Sequence, residues 1–596
     1  MSEHKSDLVV EGQDWKSNTE HVEVLNTPTD ESSSSNVDAE QYHFTWGKLA
    51  ACVGIQLGFF SDAFVVFSSA TVLSYINNDL GPSSSYVWIA SGNLVASAAS
   101  GAFIGRLSDI FGRRMLFLVG GVLALVGALV SAVGKDIPTL IAGGVLIGIA
   151  AAARQGAFAA IGEIVPKKSR GLAFGLLENT LAPGIAFGPP IAYAAIKYSS
   201  WRTIFWIAFA IDVVTLVFVF LFYHPMNQYI HEEGKSVWYQ VLHLDWVGLF
   251  LYVGGITVFL VGISFGGSEY PWTSAGTLAP IIIGALALVA LGFWEAFVPL
   301  RYPLFPSAII KNIRGFTVIQ LGVFLTGMVF YSTAILWPEQ VQALWTTDLT
   351  KVGWYSAASG LGPLLFGWMF GVAASKLPHV KWQLVATMTA LTALSGAQAC
   401  VSVDSNVYST VLAILLFICV SGMATYSINV SQLGVAHEYI GLASGIVVSS
   451  RILGGAVAQI IYVTILKNTL TSQVTKVAAP TLAKAGLAPT SIPGVLEALL
   501  SGDSKSPAIT ALSPRILGVA INAIKQAYVV SFRTVYLSSI AFGGLGVIVL
   551  CFAADVDHLR TSKVEIELVE GAHMHAKTDT GEGHMVRLDD AGHLHA

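Results

Sequence analysis

Charge is what this sequence has least of. Asp, Glu, Lys and Arg together make up 12% of its 596 residues, where a soluble domain carries about 25% to hold its surface in water. With 54% hydrophobic residues and a mean hydropathy of +0.66, a string of water-soluble domains is excluded. The net charge of −5 offers no basic patch for nucleic acid. Cysteine is nearly absent. Cys52, Cys400, Cys419 and Cys551 each sit in an apolar run and read as small hydrophobic side chains, not as a disulfide framework or metal site. The chain has no Gly-x-x-x-x-Gly-Lys-Ser/Thr loop, which argues against an ATP-driven pump. No nucleophile or metal constellation with recognisable spacing suggests an enzyme, and no cofactor is expected. A cleavable leader is also missing from the polar first 44 residues, so the first apolar run must itself act as the targeting signal.

Long hydrophobic runs are what the sequence has in quantity. A helix needs roughly 20 apolar residues to cross the hydrocarbon core. Fourteen stretches meet that length: 47–75, 86–106, 115–134, 137–161, 172–197, 203–223, 245–265, 276–298, 316–337, 352–374, 382–402, 407–428, 442–466 and 533–554. The chain therefore reads as an all-α polytopic membrane protein. Positive charge stays on the cytoplasmic side of short loops. With the N-terminus inside, the inner loops hold Arg106, Arg113, Arg114, Lys167, Lys168, Arg170, Lys235, Arg301, Lys311, Arg314, Lys376 and Lys381, against Lys135, Lys197, Arg202 and Lys351 outside. That bias supports both the orientation and an even span count.

Three segments fall outside the spans. Residues 1–44, with Ser32 to Ser35, are too polar to bury a core and read as a disordered cytoplasmic segment. Residues 467–532 read as a long outer loop of short amphipathic pieces punctuated by Pro480, Pro489, Pro493 and Gly502. Residues 557–596 read as a disordered inner tail whose His573, His575, His584, His593 and His595 are too irregularly spaced to suggest a metal site.

The sharpest motif lies between the second and third spans, Gly105-Arg106-Leu107-Ser108-Asp109-Ile110-Phe111-Gly112-Arg113-Arg114. Its two glycines let helix ends approach closely. Asp109 stands where it can cap a neighbouring helix N-terminus and pair with an arginine, a charge cluster able to latch one conformation and release another. This spacing resembles the signature loop of the major facilitator superfamily. Arg154-Gln155-Gly156 resembles that family's intramembrane arginine motif, and Gly184-Ile185-Ala186-Phe187-Gly188-Pro189-Pro190 the motif of its antiporters. Trp201 to Phe205, Gly266 to Trp272 and Ser450 to Ala456 resemble further strings of fourteen-span drug:proton antiporters. Tyr75 to Pro82, Gly162 to Pro166, Phe222 to Pro225, Lys311 to Phe316 and Thr346 to Trp354 look like the fungal trichothecene-efflux-pump subfamily, to which siderophore–iron transporters are close. The likeness runs over roughly residues 45–556.

The resemblance implies a first six-helix bundle at 45–223, a two-helix central insert at 224–300 and a second six-helix bundle at 301–556. Substrate would bind at the midplane and be reached from either side by rocking of the bundles. The turn from Gly371 to Lys381 reads as a degraded echo of the Gly105–Arg114 turn.

A charge in hydrocarbon costs about 2.5–3.5 kcal/mol even on permissive scales, yet Asp62, Arg154, Glu178, Asp212, Glu295 and Arg451 lie within the spans. Asp62, Arg154, Glu178 and Arg451 are assigned to proton coupling or the substrate pathway. Asp212 and Glu295 read as snorkelling or bundle-locking residues, and Glu163 as part of the inner gate. Asp62 and Arg154 are expected to face each other, because the first and fourth spans are neighbours in the fold the chain resembles. Gly105, Asp109, Gly112, Arg113 and Arg114 form the expected inner gate, and Gly184, Gly188 and Pro189 the antiporter-like element.

The implied activity is export of an amphipathic toxin, drug or metabolite in exchange for protons, from the plasma membrane or, alternatively, the vacuolar membrane. Siderophore–iron import by proton symport is the neighbouring possibility on the same scaffold. A non-transporting receptor would need a signalling domain, for which the polar ends are too short.

Overall fold

The computed structural model describes residues 46–560 apart from 82, 166, 225–238, 240–241, 267–269, 301–302, 437–438, 501–505 and 511. The polar segment before residue 46 and the histidine-bearing tail after residue 560 lie outside the described residues, as do Gly267 to Glu269 and the Glu163 side chain.

In a bilayer every backbone polar group must be satisfied within its own element. The described residues accordingly form helices, with one isolated bridge between Gly266 and Tyr270. They stack into fourteen columns. Columns 1 to 6 are Trp46–Thr71, Trp88–Phe111, Arg113–Val133, Ile137–Arg154 continued by Ala157–Ile164, Arg170–Asn179 continued by Ala182–Tyr198, and Arg202–Phe222. Columns 7 and 8 are Trp246–Phe265 and Ala275–Phe297. Columns 9 and 10 are Val318–Leu344 and the three-piece Leu349–Ser356, Ala358–Phe366 and Trp368–Lys376. Columns 11 to 14 are Val380–Ala397, Asn406–Leu433, Ile440–Gln473 and Pro514–Cys551. Twelve of these are long and apolar enough to cross a membrane. Columns 5 and 11 fall short, column 5 because it carries Arg170, Glu178, Asn179 and three prolines.

Residues 467–532 differ most from expectation. Column 13 runs for 34 residues and column 14 for 38, roughly 51 and 57 Å at 1.5 Å per residue, well beyond a bilayer core of about 30 Å. Their extensions enclose the short helices Ala479–Lys484 and Ile492–Leu500 around a separate apolar core that includes Val474, Leu482, Val495 and Leu496. Column 14 contributes Ala520, Ala523, Ile524 and Ala527 to that core, a spacing that keeps one helical face buried.

Columns 1–6 pack on one another, columns 9–14 do likewise, and the two sets meet where column 2 crosses column 13 and column 5 crosses column 10. Small residues make these crossings close: a Cβ on Gly101 would lie 3.3 Å from Gly445 O, and one on Gly360 only 2.6 Å from Ala182 O. Column 7 leans on columns 2 and 13. Its ends meet column 2 through ring contacts of Trp246 with Phe103 at 6.4 Å and of Phe265 with Trp88 at 6.3 Å. Between those contacts lies an apolar cavity of about 860 Å³ against columns 2, 3 and 4. Its lining residues Val119 and Phe250 are exposed on the outer surface of the protein.

Candidate functional site

A buried charge survives only with partners, and Asp62, Arg154, Asp212, Glu178 and Arg451 are found in two groups. Column 4 breaks after Arg154 in the Gln155-Gly156 turn, and the Arg154 guanidinium reaches into the first bundle. It donates from Nη1 to Asp62 Oδ1 at 2.7 Å and to Gly58 O at 3.1 Å. From Nη2 it donates to Asp212 Oδ1, also at 2.7 Å. Gly58 makes room for this: a Cβ there would sit 3.2 Å from Arg154 Cδ. All three side chains are buried, Arg154 to 4% exposure. The expected pairing of Asp62 with Arg154 is therefore present. Asp212, read from sequence as a locking or snorkelling residue, is a second carboxylate on the same guanidinium.

The second group spans the two bundles. Arg451 of column 13 donates from Nη1 to Glu178 Oε1 of column 5 at 3.0 Å. Both line a cavity of about 130 Å³ together with Asp62, Asn93, Gln155 and Ser421, and with Phe67, Phe330 and Phe417. Arg154 and Asp212 stand behind Asp62, outside the lining. The cavity thus presents one carboxylate of the triad, one inter-bundle ion pair, several neutral polar groups and three aromatic rings. Asn93, which donates to Gly144 O at 3.2 Å, has no role in the sequence reading, and Gln155 enters it only as a member of the Arg154-Gln155-Gly156 motif. A polar amide inside an apolar run was the available signal.

Glu295 is not part of this site. Glu295 Oε1 accepts from the backbone N–H groups of Leu304 at 2.9 Å and Phe305 at 3.2 Å, tying the insert to the segment that follows it. Nothing is assigned to the Glu163 side chain.

The Gly105–Arg114 turn closes the basic end of the molecule. Asp109 Oδ1 accepts from Arg113 Nη2 at 2.8 Å, and Asp109 Oδ2 accepts from the Leu442 N–H at 3.1 Å. Leu442 lies in the first turn of column 13, where the free N–H groups and the positive dipole end favour a carboxylate. Arg113 also donates to Ser108 Oγ. Gly105 has to be glycine, since a Cβ would lie 2.7 Å from Gly441 O. Gly112 turns the chain with φ 83°, a left-handed value that favours glycine. Arg114 stands apart and donates to Phe220 O at 3.0 Å. In column 5, Gly184 and Gly188 form the face against column 1, with Phe60 O and Ser68 Oγ 2.8 and 2.9 Å from their hypothetical Cβ atoms. Pro189 and Pro190 follow on the same helix.

At the opposite end Asp79 accepts from Trp201 Nε1 at 2.9 Å and from Arg202 Nη1 at 3.2 Å, while Arg202 Nη2 donates to Gly134 O at 3.1 Å. Trp201-Arg202 thus fastens the start of column 6 to the short helix Leu73–Leu80 and to the end of column 3. Among the described residues, His379, Asp555 and Asp557 bring possible metal-ligand atoms within 4.8 Å of one another, but Asp557 already accepts from the backbone N–H groups of His379 and Val380.

Two six-helix bundles, a helical insert and a central cavity lined from both bundles are the architecture of a major facilitator transporter, not of an enzyme. The model of the fungal trichothecene efflux pump family (TRI12) matches residues 13–586, and the chain belongs to that family. It is 26% identical to the trichothecene efflux pump TRI12 of Fusarium sporotrichioides over 522 residues, covering 86% of this chain and 87% of that one. It is 28% identical to the trichothecene efflux pump TRI12 of Trichoderma arundinaceum over 577 residues, 91% of this chain and 93% of the other. Among solved structures, the human organic anion transporter MFSD10 is similar with a TM-score of 0.48 at 12% identity, over 83% of this chain and 99% of that one.

Proposed function

We propose that this protein exports an amphipathic organic metabolite, of the trichothecene kind or similar, across the plasma membrane in exchange for protons. All fourteen columns cross the bilayer, with the basic end inside. The observation that carries the coupling is the count of charges on Arg154, two carboxylates to one guanidinium, all buried. With both carboxylates ionised the triad holds one net negative charge in a setting where net charge is costly; with one proton it is neutral. Asp62 faces the cavity and Asp212 does not, so Asp62 exchanges the proton and Asp212 holds Arg154 in place from behind.

The substrate site is the cavity itself, whose aromatic rings and neutral amide and hydroxyl groups suit a compound with an apolar body and polar substituents. At about 130 Å³ it is smaller than the roughly 300–1,000 Å³ of ordinary ligand sites. The bundles therefore part to admit substrate, and the Glu178–Arg451 pair breaks as they do. The Asp109 contact with column 13 closes the inner side while the outer side opens.

Proteoliposomes with an imposed pH difference and a radiolabelled trichothecene as probe test this reading. Uptake into inside-out oriented vesicles should follow the gradient and collapse with a protonophore. Flux indifferent to the protonophore would remove the coupling.

A further inference from the structure

The first turn of column 5 reads Gly171-Leu172-Ala173-Phe174-Gly175, and that of column 13 reads Gly441-Leu442-Ala443-Ser444-Gly445. The two turns are met in the same way. Gly105 of column 2 abuts Gly441 O, and four residues on Asp109 accepts from the Leu442 N–H. Gly371 of column 10 abuts Gly171 O at 2.9 Å, again as a hypothetical Cβ distance, and four residues on Ser375 Oγ accepts from the Leu172 N–H at 2.7 Å. Each half thus caps a helix of the other at the basic end, once with a carboxylate and once with a neutral hydroxyl.

A neutral hydrogen bond is roughly half as strong as a charge-assisted one. The second turn also lacks an internal arginine. Eight residues after its leading glycine, where the first half has Arg113, stands His379, with φ 62°. Besides Lys376 and Lys381, two charged side chains reach this turn from the residues that follow the last span. Arg560 donates to Leu377 O at 3.0 Å, to Ala374 O at 2.8 Å and to Ser375 O. These are carbonyls at the end of helix Trp368–Lys376, where a cation is favoured. Asp557 accepts from the His379 and Val380 N–H groups at the start of column 11, where an anion is favoured.

We propose that Ser375 is the second half's counterpart of Asp109, and that Arg560 and Asp557 are positioning residues of the inner gate. They hold the Ser375 turn against column 5 and set how readily columns 5 and 10 separate. The transporter's inner closure is then two latches of unequal kind, one built into its turn and one completed by the segment just beyond the last span. This rests on the alternating-access reading above.

Pulsed electron paramagnetic resonance on the full chain tests it. One spin-label pair at Lys168→Cys and Lys381→Cys, with the native cysteines replaced by serine, reports the column 5–10 side. A second pair at Met115→Cys and Ala436→Cys reports the column 2–13 side. Arg560→Ala and Asp557→Ala should each raise the separated population of the first pair by roughly tenfold or more, as expected for loss of hydrogen bonds to a charged group, and Ser375→Ala by roughly two- to tenfold, as for loss of a neutral one. The second pair should be unmoved. Arg560→Lys should recover part of the closure, and Ser375→Asp should strengthen it. Thermal unfolding separates misfolded variants from folded ones, and the conservative Arg560→Lys keeps the test available if Arg560→Ala does not fold. A first pair unchanged in folded Arg560→Ala and Ser375→Ala would overturn the proposal. If neither pair separates in the parent protein under any pH difference or with a trichothecene added, it is alternating access at this end that fails.

Discussion

Every charged side chain fully buried among the described residues lies in the first bundle or at the start of the insert: Asp62, Arg106, Asp109, Arg113, Arg154, Arg170, Glu178, Asp212 and Asp245. The second bundle buries neutral groups instead. Tyr536 OH donates to Gln340 Oε1 at 2.6 Å, Ser395 and Ser539 share a hydrogen bond of 2.7 Å, and Thr326 Oγ1 donates to Gly322 O at 2.9 Å. Its one deep arginine, Arg451, reaches out of the bundle to Glu178 of the other. Two bundles of one architecture therefore differ in chemistry. The buried pairs of the second bundle are neutral, whereas the Arg154 triad sets two carboxylates on one guanidinium. On the proposed function, coupling belongs to the first half, while the second supplies Phe330, Phe417 and Ser421 to the cavity wall.

The largest expected break is Arg154→Ala. It leaves Asp62 and Asp212 buried without their cation and should cost about 3–5 kcal/mol of stability, as removal of one partner of a buried pair does. Ser395→Ala in the second bundle should cost about 1 kcal/mol. Thermal unfolding in detergent micelles ranks the two, and equal losses would erase the distinction between the halves. Asp212→Asn sharpens it: one carboxylate then balances one guanidinium without a proton, so flux should persist down a substrate gradient while its response to an imposed pH difference is lost.

A smaller effect is expected at the crossings, where the halves are built alike. Gly105→Ala would press on Gly441 O and Gly371→Ala on Gly171 O, each destabilising the inner-closed state by roughly 1–3 kcal/mol as overpacking does. Spin-label distances across the basic end would show the shift. The smallest is at Asp79, outside the spans. The Trp201 hydrogen bond, then Arg202, holds its carboxyl below the usual carboxylate range. A depressed carboxylate contributes stability above its unfolded value of about 3.9 and loses it as pH falls through the lower folded value. Exposure and screening keep the contribution under about 1 kcal/mol. The melting temperature of Asp79→Asn should therefore lack the small acid-side decline that this group adds to the parent protein.

Much of this was legible in the residues. Length and apolarity mark the spans because the bilayer dictates both, and Asp62 and Arg154 announce each other because neither is tolerable alone in hydrocarbon. Asp212 was harder. Partnership depends on which face of column 6 meets column 4, and an almost uniformly apolar helix such as Arg202–Phe222 carries no periodic pattern to reveal it. The extensions of columns 13 and 14 read as loop in the sequence because their helices are amphipathic and too polar to count as spans. The Gly-Leu-Ala-x-Gly repeat at 171 and 441 was present in the sequence, but small-residue strings are common in packed spans. The contacts of Asp557 and Arg560 join residues about 180 positions apart, and no local pattern encodes them.

The central claim, a proton carried on the Arg154 triad, is tested most directly by infrared difference spectroscopy of the purified protein across a pH titration. Asp62 and Asp212 predict a protonated-carboxyl band from a buried group in the parent protein that is absent in Asp62→Asn and in Asp212→Asn, with both variants folded. The same band at undiminished intensity in both variants would contradict the claim.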